Sequence, residues 1–84
     1  MRPNLSDNRS RNNEMATPEQ TQAARYRYSV RWSPADGEFV ASVAQFPSLS
    51  WLDSDRFRAR AGIRRLVSAV LLDLAESGEP VPRL

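Results

Sequence analysis

The 84-residue sequence contains no cysteine, no histidine and no lysine. Without cysteine it has neither a disulfide staple nor a thiolate metal site. Without histidine it lacks the commonest metal ligand and the commonest general base at neutral pH. A serine nucleophile would need a histidine or a lysine beside it, and neither is present. Long apolar runs are also missing: no stretch approaches the roughly 18 residues that cross a bilayer. Asn, Ser and Arg recur in the first ten residues in place of a basic-then-apolar leader, so a cytoplasmic, non-membrane protein is expected. Its length leaves room for one small domain, because domains usually run from about 50 to 200 residues.

Charge is balanced. Twelve basic against ten acidic residues leave a formal net charge of +2, although the sequence pI is 9.9. All the basic residues are arginine, so almost nothing titrates between the carboxylates and the tyrosines, and the high pI follows from that gap. The basic balance is therefore a weak argument for nucleic acid.

Residues 1–24 have no aromatic side chain and hardly any large aliphatic one. Such a stretch buries too little surface to offset its chain entropy, so a disordered tail is expected over 1–24 and one folded domain over 25–84. From Arg25 to Trp32 polar and apolar residues alternate without exception, the period of a strand with one buried face. Pro34, Asp36 and Gly37 supply turn chemistry for a hairpin. Residues 38–45 make the return strand, with either Phe39, Ala41 and Val43 or Val40, Ala44 and Phe46 facing inward. Pro47 interrupts it, and Ser48–Leu52 form a short edge strand.

After Asp55 the apolar period becomes 3.6, through Ala59, Ile63, Leu66, Val67, Val70, Leu71 and Leu74. Asp55 is the expected N-cap, with Asp53 and Ser54 as alternatives, and Gly78 followed by Pro80 is the expected stop. The predicted fold is α+β: a three-stranded antiparallel sheet covered on one face by a single helix, in the order β-β-β-α. Glu79–Leu84 leave room for a short fourth strand.

These pieces, in this order, resemble the HicB family of antitoxins over about residues 25–82. The resemblance rests on the tyrosine-rich strand, the Asp36-Gly37 turn and the aromatic-valine return strand. It rests further on the Phe46-Pro47-Ser48-Leu49-Ser50-Trp51-Leu52 segment, the helix carrying Ala59 to Val67, and the Gly78-Glu79-Pro80-Val81-Pro82 ending. It implies a β-β-β-α-β arrangement described as a partial RNase H-like fold, and a role in binding and neutralising a small HicA-type RNA-cleaving toxin. Such toxins act through a histidine, which this chain lacks. Many HicB proteins also carry a C-terminal DNA-binding module. Here only Pro82, Arg83 and Leu84 close the sequence, so that half is not expected. Where the family commonly shows Thr and a Glu pair at the helix start, this chain has Asp55, Arg56, Phe57 and Arg58, which changes the side chains offered to a partner.

An RNase H-like nuclease needs three or four carboxylates converging on divalent cations. Asp36 and Glu38 sit in or beside a turn, and Asp53 and Asp55 suit the start of the helix, so no enzyme, metal or cofactor is expected. The unusual feature is the helix. Arg56, Arg58, Arg60, Arg64 and Arg65 crowd its first half while Asp73 and Glu76 occupy the second, against the helix dipole. Either an anionic partner surface or intramolecular packing over the strand aromatics must offset that. Partner contact is expected at Arg58, Arg60, Arg64 and Arg65, with Trp51 as an aromatic anchor, because Arg and Trp dominate interface hot spots. The alternative is a small nucleic-acid-binding protein using the same arginines on phosphates, with Trp32, Trp51, Tyr26 or Tyr28 as stacking platforms. A lone core of this size is marginal, so a homodimer is expected, in which Leu72, off the apolar stripe, would find a contact.

Overall fold

The computed structural model describes residues 17–83. Helix α1 spans Pro18–Ala24, strands β1, β2 and β3 span Tyr28–Ser33, Glu38–Val43 and Ser50–Asp53, and helix α2 spans Arg56–Ser77. The sheet order is β1-β2-β3 with both pairings antiparallel, giving the α+β fold read from the sequence. The hairpin turn is held by Ser33, whose carbonyl accepts from the Gly37 N–H at 2.9 Å and whose hydroxyl donates to Asp36 at 2.8 Å.

Register decides which side chains share a face. Tyr28, Val30 and Trp32 lie opposite Val43, Ala41 and Phe39, and Ala41 lies opposite Trp51. Because directly opposite residues point the same way, these side chains form the face beneath α2. Of the two phases open for β2, Phe39, Ala41 and Val43 is the one adopted. The other face carries one row of Ser29, Ser42 and Ser50 and a second of Arg31, Val40 and Leu52. No second layer of helix or sheet among the described residues covers it.

Helix α2 begins where Asp55 accepts the Arg58 N–H at 2.8 Å. It ends at Gly78, whose φ of 74° is the left-handed conformation that glycine adopts without a Cβ penalty. Its buried stripe is Ala59, Gly62, Ile63, Val67 and Leu71, packed on Ala41 and Val43. Burying each large aliphatic side chain stabilises the fold by roughly 1.5–3 kcal/mol. Gly62 lets helix and sheet approach closely: a Cβ built there would lie 2.1 Å from the Trp51 indole nitrogen.

Four expectations need correction. Residues 1–16 lie outside the described residues, but Pro18–Ala24 of the expected tail are helical. The Thr17 hydroxyl accepts the Gln20 N–H at 3.1 Å and the Gln20 amide oxygen accepts the Thr17 N–H at 3.0 Å, a reciprocal capping box. Ala23 is buried against the core, so the folded unit begins before Arg25. Strand β3 starts at Ser50 and not Ser48, because Leu49 N–H closes a turn on Phe46 O at 3.0 Å. No fourth strand forms within the described residues after α2. Pro80 and Pro82 have no N–H for a ladder, and the Pro82 carbonyl instead accepts the Tyr26 hydroxyl at 2.6 Å. Trp32 is on the predicted face but 51% exposed, because it lies beyond the start of α2.

Candidate partner-binding surface

With about 100° per residue, Arg58 and Arg65 fall on one flank of α2 and Arg60 and Arg64 on the other. The contacts agree. Arg58 Nε donates to Asp53 of β3 at 3.2 Å, the one ion pair among the described residues. The Arg65 guanidinium stands 5.9 Å from the centre of the Trp51 ring on the same strand. Arg64 and Arg65 both border a groove between the helices, with Gln20, Ala23, Ala61 and Ser68. Of the expected set Arg58, Arg60, Arg64, Arg65 and Trp51, Arg64 and Arg65 share that groove, while Arg58 is turned to Asp53 and Trp51 lies against Arg65.

The charges that oppose the helix dipole are partly compensated within the molecule. Arg56 lies over Phe39, 5.4 Å from the ring centre, and with Arg65 over Trp51 this gives two cation–π contacts. Asp53 accepts the Asp55 N–H at 2.9 Å and the Arg58 guanidinium, and in that order these hold its carboxyl below the usual carboxylate range. Arg60 and Arg64 differ: both are exposed, and no carboxylate among the described residues pairs with either. Both lie close enough to Tyr28 in β1 to act on its phenol. Burial raises that phenol's pKa, against the opposing pull of Arg64 and then Arg60. The hydroxyl donates to Ala23 O at 2.5 Å, tying β1 to the end of α1.

Trp51 is not the exposed anchor expected of it. Half-buried, it fills the space left by Gly62. Of the stacking candidates Tyr26 is buried and Tyr28 half-buried, whereas Trp32 stands open, edge-on to Phe39 with ring centres 5.1 Å apart. Phe57, which the sequence reading passed over, is 76% exposed on the first turn of α2. Its signal was present: an aromatic between two arginines and off the apolar stripe. Leu72 is 45% exposed and borders a groove with Thr17, Glu19, Gln20 and Ala69.

Among the described residues no group of three or more His, Cys, Asp or Glu side chains is placed to hold a metal ion. Nor is any helix among them long and apolar enough to cross a membrane. The fold and this surface define an α+β protein that presents guanidinium and aromatic groups around an open-faced sheet. No family model, no curated protein and no solved structure matches the chain.

Proposed function

We propose that this protein is a HicB-like antitoxin, or a module derived from one, which neutralises a HicA-type RNA-cleaving toxin in the cytoplasm by stoichiometric binding. The observation that carries this reading is the pair Arg60 and Arg64: exposed, uncompensated, and on a helix whose other arginines are already engaged. Guanidinium forks bind carboxylates in two-pronged geometry, so the partner surface that this pair would cover is an acidic one. The protein acts by occupancy and not by turnover, and a second copy of the chain completes the assembly.

The test is co-purification of the tagged full chain from its native host, washed at rising salt, with mass identification of what remains bound. A packed protein partner stays bound at about 1 M salt, where screening falls to roughly 3 Å. Phosphate contacts alone would be lost log-linearly as salt rises. A small protein recovered in stoichiometric amount supports the reading; short RNA and nothing else overturns it in favour of the nucleic-acid alternative.

A further inference from the structure

We propose that the outer edge of β1 is a docking strip for an extended acidic segment of a partner protein, which joins the sheet as a further strand with carboxylates at alternate positions. The inference rests on the partner-binding reading and says where and how the partner is held.

The backbone comes first. Arg27 O accepts the Ala44 N–H at 2.9 Å, so Arg27 and Ala44 form a hydrogen-bonded pair at the mouth of the β1–β2 ladder. Such pairs alternate along an antiparallel ladder. Ser29, Arg31 and Ser33 therefore direct their peptide groups at β2, and Tyr28, Val30 and Trp32 direct theirs away from the sheet. Strand β1 is six residues long and unbroken in register, with no proline and no bulge. Proteins commonly blunt exposed edges with those features.

The side chains say what the strip would take. Arg60 and Arg64 are four residues apart, which spaces them about 6 Å along α2. Alternate residues of an extended chain are spaced about 6.7 Å. Residues added opposite Tyr28 and Val30 would face the helix side of the sheet, where Arg64 and Arg60 stand, and one added opposite Trp32 would meet the open indole. A second copy of β1 is a poor occupant, because it would bring these arginines against their own counterparts. A nucleic acid would satisfy the guanidinium groups but has no backbone ladder to pair with Tyr28, Val30 and Trp32.

The probe is an acetylated eight-residue peptide alternating glutamate and threonine, added to the isotopically labelled full chain. Controls are the same peptide with lysine for glutamate, and a uridylate oligomer of matching charge. In hydrogen exchange the Tyr28, Val30 and Trp32 amides are expected to become at least tenfold more protected, while those of Ser29 and Arg31, already bonded to β2, change little. Arg60→Glu with Arg64→Glu should weaken binding by tenfold or more, with an amide spectrum otherwise unchanged showing that the fold is intact. No gain in protection at those three amides, equal binding of the lysine peptide, or tighter binding of the uridylate oligomer would each overturn the proposal. If the co-purified protein binds without protecting those amides, the docking mode fails while the partner reading stands.

Discussion

At Gly62 two preferences oppose each other. Glycine inside a helix costs about 1 kcal/mol relative to alanine, so on propensity alone Gly62→Ala would stabilise α2. The Trp51 ring forbids it, with three indole atoms between 2.1 and 2.4 Å from where the new methyl would lie. Overpacking of this kind costs about 1–3 kcal/mol. Gly62→Ala should lower the melting temperature by several degrees, at roughly 4–8 °C per kcal/mol for a domain this small. Pairing it with Trp51→Leu should recover part of the loss; a rise in melting temperature for the single variant would show that the indole does not occupy this space. Asp53 gives a pH dependence. Its carboxyl is held below the usual range by the Asp55 N–H and then Arg58, so the folded state favours the ionised form. That contribution is complete above the unfolded value of about 3.9 and is lost as pH falls through the lower folded value. Chemical denaturation of wild type and Asp53→Asn should show the wild-type advantage shrinking below about pH 4; an advantage that grows with acid would contradict the assignment.

Helix α1 depends on few contacts, being seven residues long and too short to hold by propensity alone. The capping box fixes its start, and the Tyr28 hydroxyl on Ala23 O fixes its end. Tyr28→Phe removes that donor and leaves the carbonyl with the Tyr26 N–H alone, at 3.2 Å, a loss of about 1 kcal/mol. Amides of residues 21–24 should then exchange roughly fivefold faster while the buried stripe of α2 is unaffected. Uniform acceleration would mean that α1 unfolds only with the whole domain. This helix was written in the sequence as Thr17-Pro18-Glu19-Gln20, a cap, a proline at N1 and a glutamine at N3, but averaging composition over 24 residues hid it. By contrast the alternation of β1 and the caps of α2 were legible, since each depends on neighbours in sequence. The phase of β2 was not, because both of its faces carry apolar residues and only pairing with β1 selects one. The exchange of roles between Trp51 and Trp32 was hidden for the same reason: exposure there depends on how far along the sheet α2 begins.

Among the described residues one side of the sheet is left open, and the residues on that side argue for what covers it. Val40 and Leu52 are side by side across β2 and β3, and Leu52 is 40% exposed. The serine row beside them is short enough for a second sheet to approach to the usual spacing of about 10 Å. Arg31 and Glu38 flank the apolar pair on the same face, an arrangement complementary to itself across a two-fold axis, so that each copy's arginine can meet the other's glutamate. A second copy is thus the occupant this face favours, and such a dimer would enlarge a core that is small for its chain while leaving the outer edge of β1 free for a partner. Light scattering at tens of micromolar should give the mass of two chains, and Leu52→Asp the mass of one, because the carboxylate would be buried without a cation. Adding Val40→Asp should not rescue the dimer, whereas exchanging Arg31 and Glu38 should preserve it, since the two-fold then pairs the same charges in reverse. A wild-type chain that stays at single mass across that concentration range would leave the open face without its second copy and overturn the dimer proposed here.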